Sequence, residues 1–215
     1  PKANVNEAKY ICGIDVYAVE TLRDAIGLIN GEVIAPIEKS AIAANVAPSA
    51  SEDLKYVKGQ YSAKRALEIA ASGGHNILMI GSPGGGKTML AKCLPSILPD
   101  MTEREILETT KIHSVAGILD SERGIVTARP FRSPHHTTSR AALTGGGSSA
   151  RPGEISFAHN GVLFLDELPE YPRNVLEILR QPLEDGVVSV ARAARSVEYP
   201  ANFMLVASMN PCPCG

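Results

Sequence analysis

Gly81-Ser82-Pro83-Gly84-Gly85-Gly86-Lys87-Thr88 is the stretch whose reading decides the fold. It satisfies G-x-x-x-x-G-K-[ST], a pattern with a physical reason behind each fixed position. Glycines let the backbone curl until successive N–H groups point inward at a phosphate. Lys87 reaches the β and γ oxygens of a bound nucleoside triphosphate, and the Thr88 hydroxyl ligates Mg²⁺. The flanks agree. Asn76 to Ile80 is a short continuous apolar run, as a buried parallel strand requires. A helix begins near Lys87 and turns its positive N-terminal end to the same anion.

Outward from this loop the apolar runs recur. Gly161 to Leu165 and Phe203 to Ala207 read as two more buried strands, with helical stretches between them. Tyr61 to Ser72 predicts a helix with Ala63, Ala66, Leu67, Ile69 and Ala70 on one face, stopped by Gly73-Gly74. Thr102-Glu103-Arg104-Glu105 is a capping box opening another, and Asn174 to Leu183 supplies a third. Buried strands alternating with helices predict an α/β fold: a parallel sheet covered on both faces. The second run ends in Asp166-Glu167. Strand alternation predicts that the two carboxylates point to opposite sides and do different jobs. Asp166 suits the Mg²⁺ shell, and Glu167 suits the base that orients a water against the γ-phosphate. The third run ends in Ser208-Met209-Asn210, which puts Asn210 beside the crevice where such sheets bind ligands, in reach of the γ-phosphate or the attacking water.

Upstream the character differs. Cys12 to Tyr17 reads as a short strand, and Thr21 with Asp24 as a capping box opening a helix whose apolar face is Leu22, Ala25, Ile26 and Ile29. Residues 1–40 hold too little apolar sequence for a core of their own, and 41–52 read as a linker. Composition excludes several classes. With 21 basic and 23 acidic residues the chain is neither a polycationic tail nor an acidic disordered segment. No apolar run is long enough to span a membrane and no secretory leader is visible, so a cytoplasmic protein is expected. Four cysteines make no disulfide framework. Aromatics at 5%, with no Trp, argue against a base-stacking module.

Taken in order, Val57-Lys58-Gly59-Gln60, the phosphate loop, Asp166-Glu167 and Asn210 resemble box II, Walker A, Walker B and sensor 1 of an AAA+ P-loop ATPase. More narrowly, residues 53–215 resemble the magnesium-chelatase-like AAA+ proteins of the ComM/YifB type. The strings that carry this are Gly73-Gly74-His75-Asn76, Arg129-Pro130-Phe131-Arg132-Ser133-Pro134-His135-His136-Thr137, Arg151-Pro152-Gly153-Glu154-Ile155 and Asn210-Pro211-Cys212-Pro213-Cys214-Gly215. The resemblance implies that 53–215 is an AAA+ core with a helix-2 insert and a pre-sensor-1 hairpin, and that 1–40 finishes an upstream Lon-protease-like domain. It adds Val57 and Met89 to the nucleotide contacts. It implies ATP and Mg²⁺ as cofactors, a homo-oligomeric ring, typically a hexamer, and a motor acting on DNA in recombination or competence. Family members continue past Asn210 into an arginine finger and a helical lid. The 215 residues lack both, so they are expected to bind ATP and turn it over weakly.

Arg123 to Gly153 carries Arg123, Arg129, Arg132, Arg140 and Arg151, with His135 and His136, and no Asp or Glu. Gly186 to Val197 is a second acid-free stretch with Arg192 and Arg195, and it alternates like a hairpin. Arg132, Arg140, Arg151, Arg192 and Arg195 are the candidate contacts to single-stranded or branched DNA, with subunit interfaces as the competing use. A chelatase-type or protein-remodelling ATPase shares every nucleotide-site residue, and a nucleotide-gated assembly switch would have no use for Glu167. The adjacent His135 and His136 are poorly placed to chelate one ion. Cys212 and Cys214 make half of a zinc site, completed only by a second cysteine pair that relatives carry downstream.

Overall fold

The apolar runs become one four-stranded parallel sheet in a computed structural model that describes residues 1–11, 13–32, 34–40, 53–120, 122–147, 150–191 and 196–212. Its strands are β1 (Ile77–Ile80), β2 (Phe131–Arg132), β5 (Val162–Leu165) and β8 (Met204–Met209), in the spatial order β1-β8-β5-β2. Two short antiparallel ribbons stand apart: β3 (Gly145–Gly146) with β4 (Arg151–Pro152), and β6 (Val187–Ala191) with β7 (Ser196–Pro200). The second of these is the hairpin expected from the alternation between Gly186 and Val197. The helices are α1 (Val5–Ala8), α2 (Leu22–Ile29), α3 (Tyr61–Gly73), α4 (Lys87–Cys93), α5 (Glu103–Ala116), α6 (Arg140–Thr144), α7 (Glu154–Phe157), α8 (Arg173–Leu176) and α9 (Arg180–Asp185).

Period-2 alternation sorts the core onto two faces. Val162 and Phe164 of β5, with Met204 and Val206 of β8, face Leu67, Ala70 and Ala71 of α3 and Leu90, Ala91 and Cys93 of α4. Leu163 and Leu165 face the opposite way, onto Leu143, Ile155, Tyr171, Val175 and Leu179. Phe164 is wholly buried and stacks on Phe131 at 6.0 Å between ring centroids. Each such side chain contributes about 1.5–3 kcal/mol by leaving water. The sheet is covered on both sides, as read from the sequence.

Three expectations need correction. β1 is an edge strand bonded only to β8 in the sheet, so Leu78 and Ile80 are 48% and 62% exposed rather than buried. On α3 the buried stripe is Leu67, Ala70 and Ala71; Ala66 and Ile69 face outward, because the helix presents a narrower face to β1 and β8 than its apolar residues offer. Gly13 to Tyr17 form no strand, and Cys12 lies outside the described residues.

The helix punctuation follows the sequence closely. Thr21 and Asp24, and Thr102 and Glu105, both form reciprocal capping boxes. Gly74 ends α3 in the left-handed conformation (φ 64°), where a side chain is costly. The segment from Arg173 to Asp185 is helical throughout but broken into α8, a 3₁₀ turn (Glu177–Leu179) and α9. The segment around α1 touches the sheet domain. Ser114 on α5 donates to Glu7 at 2.7 Å, and Tyr10 packs on the small cluster Met101, Ile106 and Ile125.

One buried histidine, His159, and one half-buried, His113, give the fold a pH dependence. Asn202 N–H donates to Nδ1 of His159 at 3.1 Å, which leaves the proton on Nε2, 3.6 Å from Glu108 and outside hydrogen-bond distance. Burial holds the pKa of His159 below its ordinary 6.5 against the opposing pull of Glu108, and burial does the same to His113. As pH falls below 6.5, the unfolded chain therefore takes up these protons before the folded one. Stability is full above that value and declines beneath it. Melting curves at pH 7.5 and 5.5 are expected to differ by a few degrees; a level melting temperature would show that the rings protonate freely in the folded state.

Candidate nucleotide site

The loop at 81–88 leaves the carboxyl end of β1 and runs directly into α4. Gly84 (φ 75°) and Gly86 (φ 79°) adopt left-handed backbone that side chains resist, so the curl depends on them. Gly81 N–H donates to Met209 O at 3.2 Å, which fixes the start of the loop to the end of β8. A cleft of about 420 Å³ opens above the strand ends. It is lined by Pro83, Gly84, Gly85, Gly86, Lys87, Thr88 and Met89 on one side and by Asp166, Glu167, Ser208, Met209 and Asn210 on the other.

Side chains distant in sequence meet there. The Lys87 ammonium donates to Gly81 O at 2.7 Å, Ser82 O at 2.9 Å and Asn210 Oδ1 at 3.0 Å. Thr88 Oγ1 donates to Asp166 Oδ2 at 2.7 Å. The other oxygen, Oδ1, accepts the Ser208 hydroxyl and, at 3.0 Å, the backbone N–H of Glu167. Burial alone would raise the Asp166 pKa, but the hydrogen bonds from Ser208, Thr88 and Glu167 N–H, with the charge of Lys87, outweigh it and hold the carboxyl below its ordinary range. Asp166 is thus kept ionised. A hydroxyl beside an ionised carboxylate is a set of hard oxygen donors, the chemistry that suits Mg²⁺.

Glu167 departs from the sequence expectation. β5 ends at Leu165, and Glu167 takes a left-handed backbone (φ 52°), so strand alternation no longer applies and both carboxylates border one cleft. Strained backbone of this kind costs on the order of 1–3 kcal/mol and persists where the surroundings enforce it. The Glu167 carboxylate is 55% exposed and lies 3.5 Å from His136 Nδ1. His136 is sandwiched between His135, at 4.0 Å between centroids, and the edge of Tyr171. Tyr171 anchors this loop by donating to Pro134 O at 2.5 Å; burial first, and then the Asp166 charge, push its pKa up to about 12.

Val57 does not line the cleft: it is buried with Leu54 and Leu67, and its box lies close through Gln60, which donates to Gly85 O at 3.2 Å. Ser208 and His136 are the site residues that sequence reasoning missed. Ser208 left a signal, a lone hydroxyl within an otherwise apolar strand, whereas nothing in sequence spacing ties His136 to Glu167.

The candidate polymer contacts divide. Arg132 donates to Glu154 through Nε and Nη2, each at 2.7 Å, in a bidentate pair, and lies over the Phe157 ring. Arg129 is committed to Glu105 and to the carbonyls of Pro99, Asp100 and Asn160. Arg140 and Arg151 are exposed, at the start of α6 and in β4. Arg192 and Arg195 lie outside the described residues, as does Cys214 of the cysteine pair. No group of three or more His, Cys, Asp or Glu side chains that could hold a metal ion occurs among the described residues. The β3–β4 ribbon is joined to the hairpin by Tyr199, whose hydroxyl donates to Ala150 O at 2.8 Å.

Comparison with known proteins places this geometry in context. Residues 53–215 match the family described as magnesium chelatase, subunit ChlI. The whole chain is 47% identical to the competence protein ComM of Haemophilus influenzae, covering 42% of that protein. The chain therefore spans less than half the length of the ComM and YifB relatives it matches. Among solved structures, the complex of the magnesium chelatase subunits BchI and BchD superposes with a TM-score of 0.55 at 23% identity, over 75% of this chain and 53% of that one. The ADP complex of NtrX from Brucella abortus gives a TM-score of 0.51 at 18% identity, over 74% of this chain and 31% of that one.

Proposed function

The chain belongs to the magnesium chelatase subunit ChlI family of AAA+ ATPases, and on that premise we propose that it is a Mg²⁺-dependent ATPase that works in a homo-oligomeric ring, a hexamer, on single-stranded or branched DNA in the cytoplasm. One observation carries the ATPase reading: the phosphate loop and the two carboxylates that follow β5 border a single cleft, with Thr88 bonded to Asp166 and Lys87 to Asn210.

The residues divide the work. Backbone N–H groups of 84–88 and the Lys87 ammonium bind the β and γ phosphates. Thr88 and Asp166 would hold Mg²⁺, which when bound would supply neutralising charge for the triphosphate. Glu167 accepts a proton from the water that attacks the γ-phosphate, and Asn210 orients that water or the phosphate itself. Glu167 borders the cleft at an exposed position, which gives a neighbouring subunit access to complete the site.

The DNA reading rests on the exposed Arg140 and Arg151 in an arginine-bearing insert, and on the 47% identity to a protein named for competence. Replacing both arginines with glutamine is expected to weaken DNA binding uniformly across sequences and to flatten the slope of log affinity against log salt by about 1.4–1.8. An unchanged slope would assign them to contacts between subunits. ATP turnover measured with and without single-stranded and forked DNA tests the whole reading. Stimulation by DNA supports it; turnover indifferent to DNA but raised by a protein partner would favour a chelatase-type or protein-remodelling role.

A further inference from the structure

Ser208 sits in β8, at the centre of the sheet, and is wholly buried. Its neighbours in the strand are apolar, and a methyl group would fill the same space without a hydroxyl to satisfy. A buried hydroxyl needs a partner, and the one it has is Asp166 Oδ1. Together with the Glu167 N–H on the same oxygen, this bond fixes the rotation of the carboxylate. Oδ2 is thereby turned to Thr88 and the phosphate loop. Thr88 cannot do this alone, because a single hydrogen bond leaves the carboxylate free to pivot about it.

We propose that Ser208 is a positioning residue for Mg²⁺, acting through Asp166: its hydroxyl sets the orientation in which the carboxylate and Thr88 present their oxygens to the metal ion. This rests on the nucleotide-site reading above and adds to it a residue that touches neither phosphate nor metal. Outer-shell partners of metal-ligating groups commonly change metal affinity by about 10–100-fold when removed.

The test compares the purified protein with Ser208→Ala and Ser208→Thr, following a fluorescent ATP analogue as Mg²⁺ is added. In Ser208→Ala the Mg²⁺ concentration for half-maximal binding is expected to rise about tenfold. Binding of the analogue in excess chelator should stay unchanged, because Lys87 and the loop backbone are untouched. Ser208→Thr keeps the hydroxyl and should restore the wild-type Mg²⁺ requirement. Manganese binding, followed by electron paramagnetic resonance, gives a second readout independent of turnover. A Ser208→Ala protein with wild-type Mg²⁺ and Mn²⁺ dependence overturns the proposal while leaving the nucleotide site intact. Equal loss of binding with and without metal also overturns it, since that pattern marks a packing role. A wild-type protein that binds no analogue at all would sink the site reading itself.

Discussion

Lys87→Ala is expected to lose ATP affinity by a factor of several hundred. The ammonium is the one cationic group on the loop side of the cleft among the lining residues, and its hydrogen bonds to charged phosphate oxygens are worth roughly 3–4 kcal/mol together. The fold should survive. Of its three present acceptors, the Ser82 carbonyl and the Asn210 amide oxygen are exposed, so water can replace the lysine there, and only the bond to the Gly81 carbonyl is part-buried. Calorimetric titration with ATP and Mg²⁺ measures the loss, and a melting curve separates it from unfolding. Wild-type affinity in this variant would remove the phosphate-loop assignment and everything argued from it.

Glu167→Gln should do the opposite: nucleotide binding persists and turnover falls by about 10²–10⁴. The amide keeps the shape and the polar contacts of the carboxylate but accepts no proton. The substitution should cost little in stability, because the side chain is more than half exposed and the left-handed backbone at this position is as accessible to glutamine as to glutamate. Single-turnover measurement with preloaded ATP isolates the chemical step. Unchanged turnover would take the base away from Glu167 and favour a protein that uses nucleotide to switch its assembly.

Much of this arrangement is legible in the sequence, for definable reasons. The phosphate loop is local: its glycines, lysine and threonine act within one turn and one helix start, so spacing alone carries it. Continuous apolar runs mark β5 and β8 because parallel strands are buried on both faces. The same signal overstates β1, whose sequence is equally apolar but which has a neighbour on one side only. Neighbourhood is a property of topology, and no window of sequence contains it. β2, β3 and β4 are two residues each, too short to show any period. The two carboxylates at 166 and 167 were legible as a pair but not as a geometry, since alternation fails once the strand ends and φ turns positive. Arg132 shows the limit for charge: the acid that neutralises it, Glu154, lies one residue past the acid-free stretch in which it was counted.

The bond from Tyr199 to Ala150 makes the arginine-bearing ribbon and the hairpin one lever arm. β8 follows that arm with no helix between, and its six residues end beside Lys87 and Asp166 in the cleft. A displacement of the hairpin therefore has only residues 201–203 to cross before it reaches the strand that ends at the cleft.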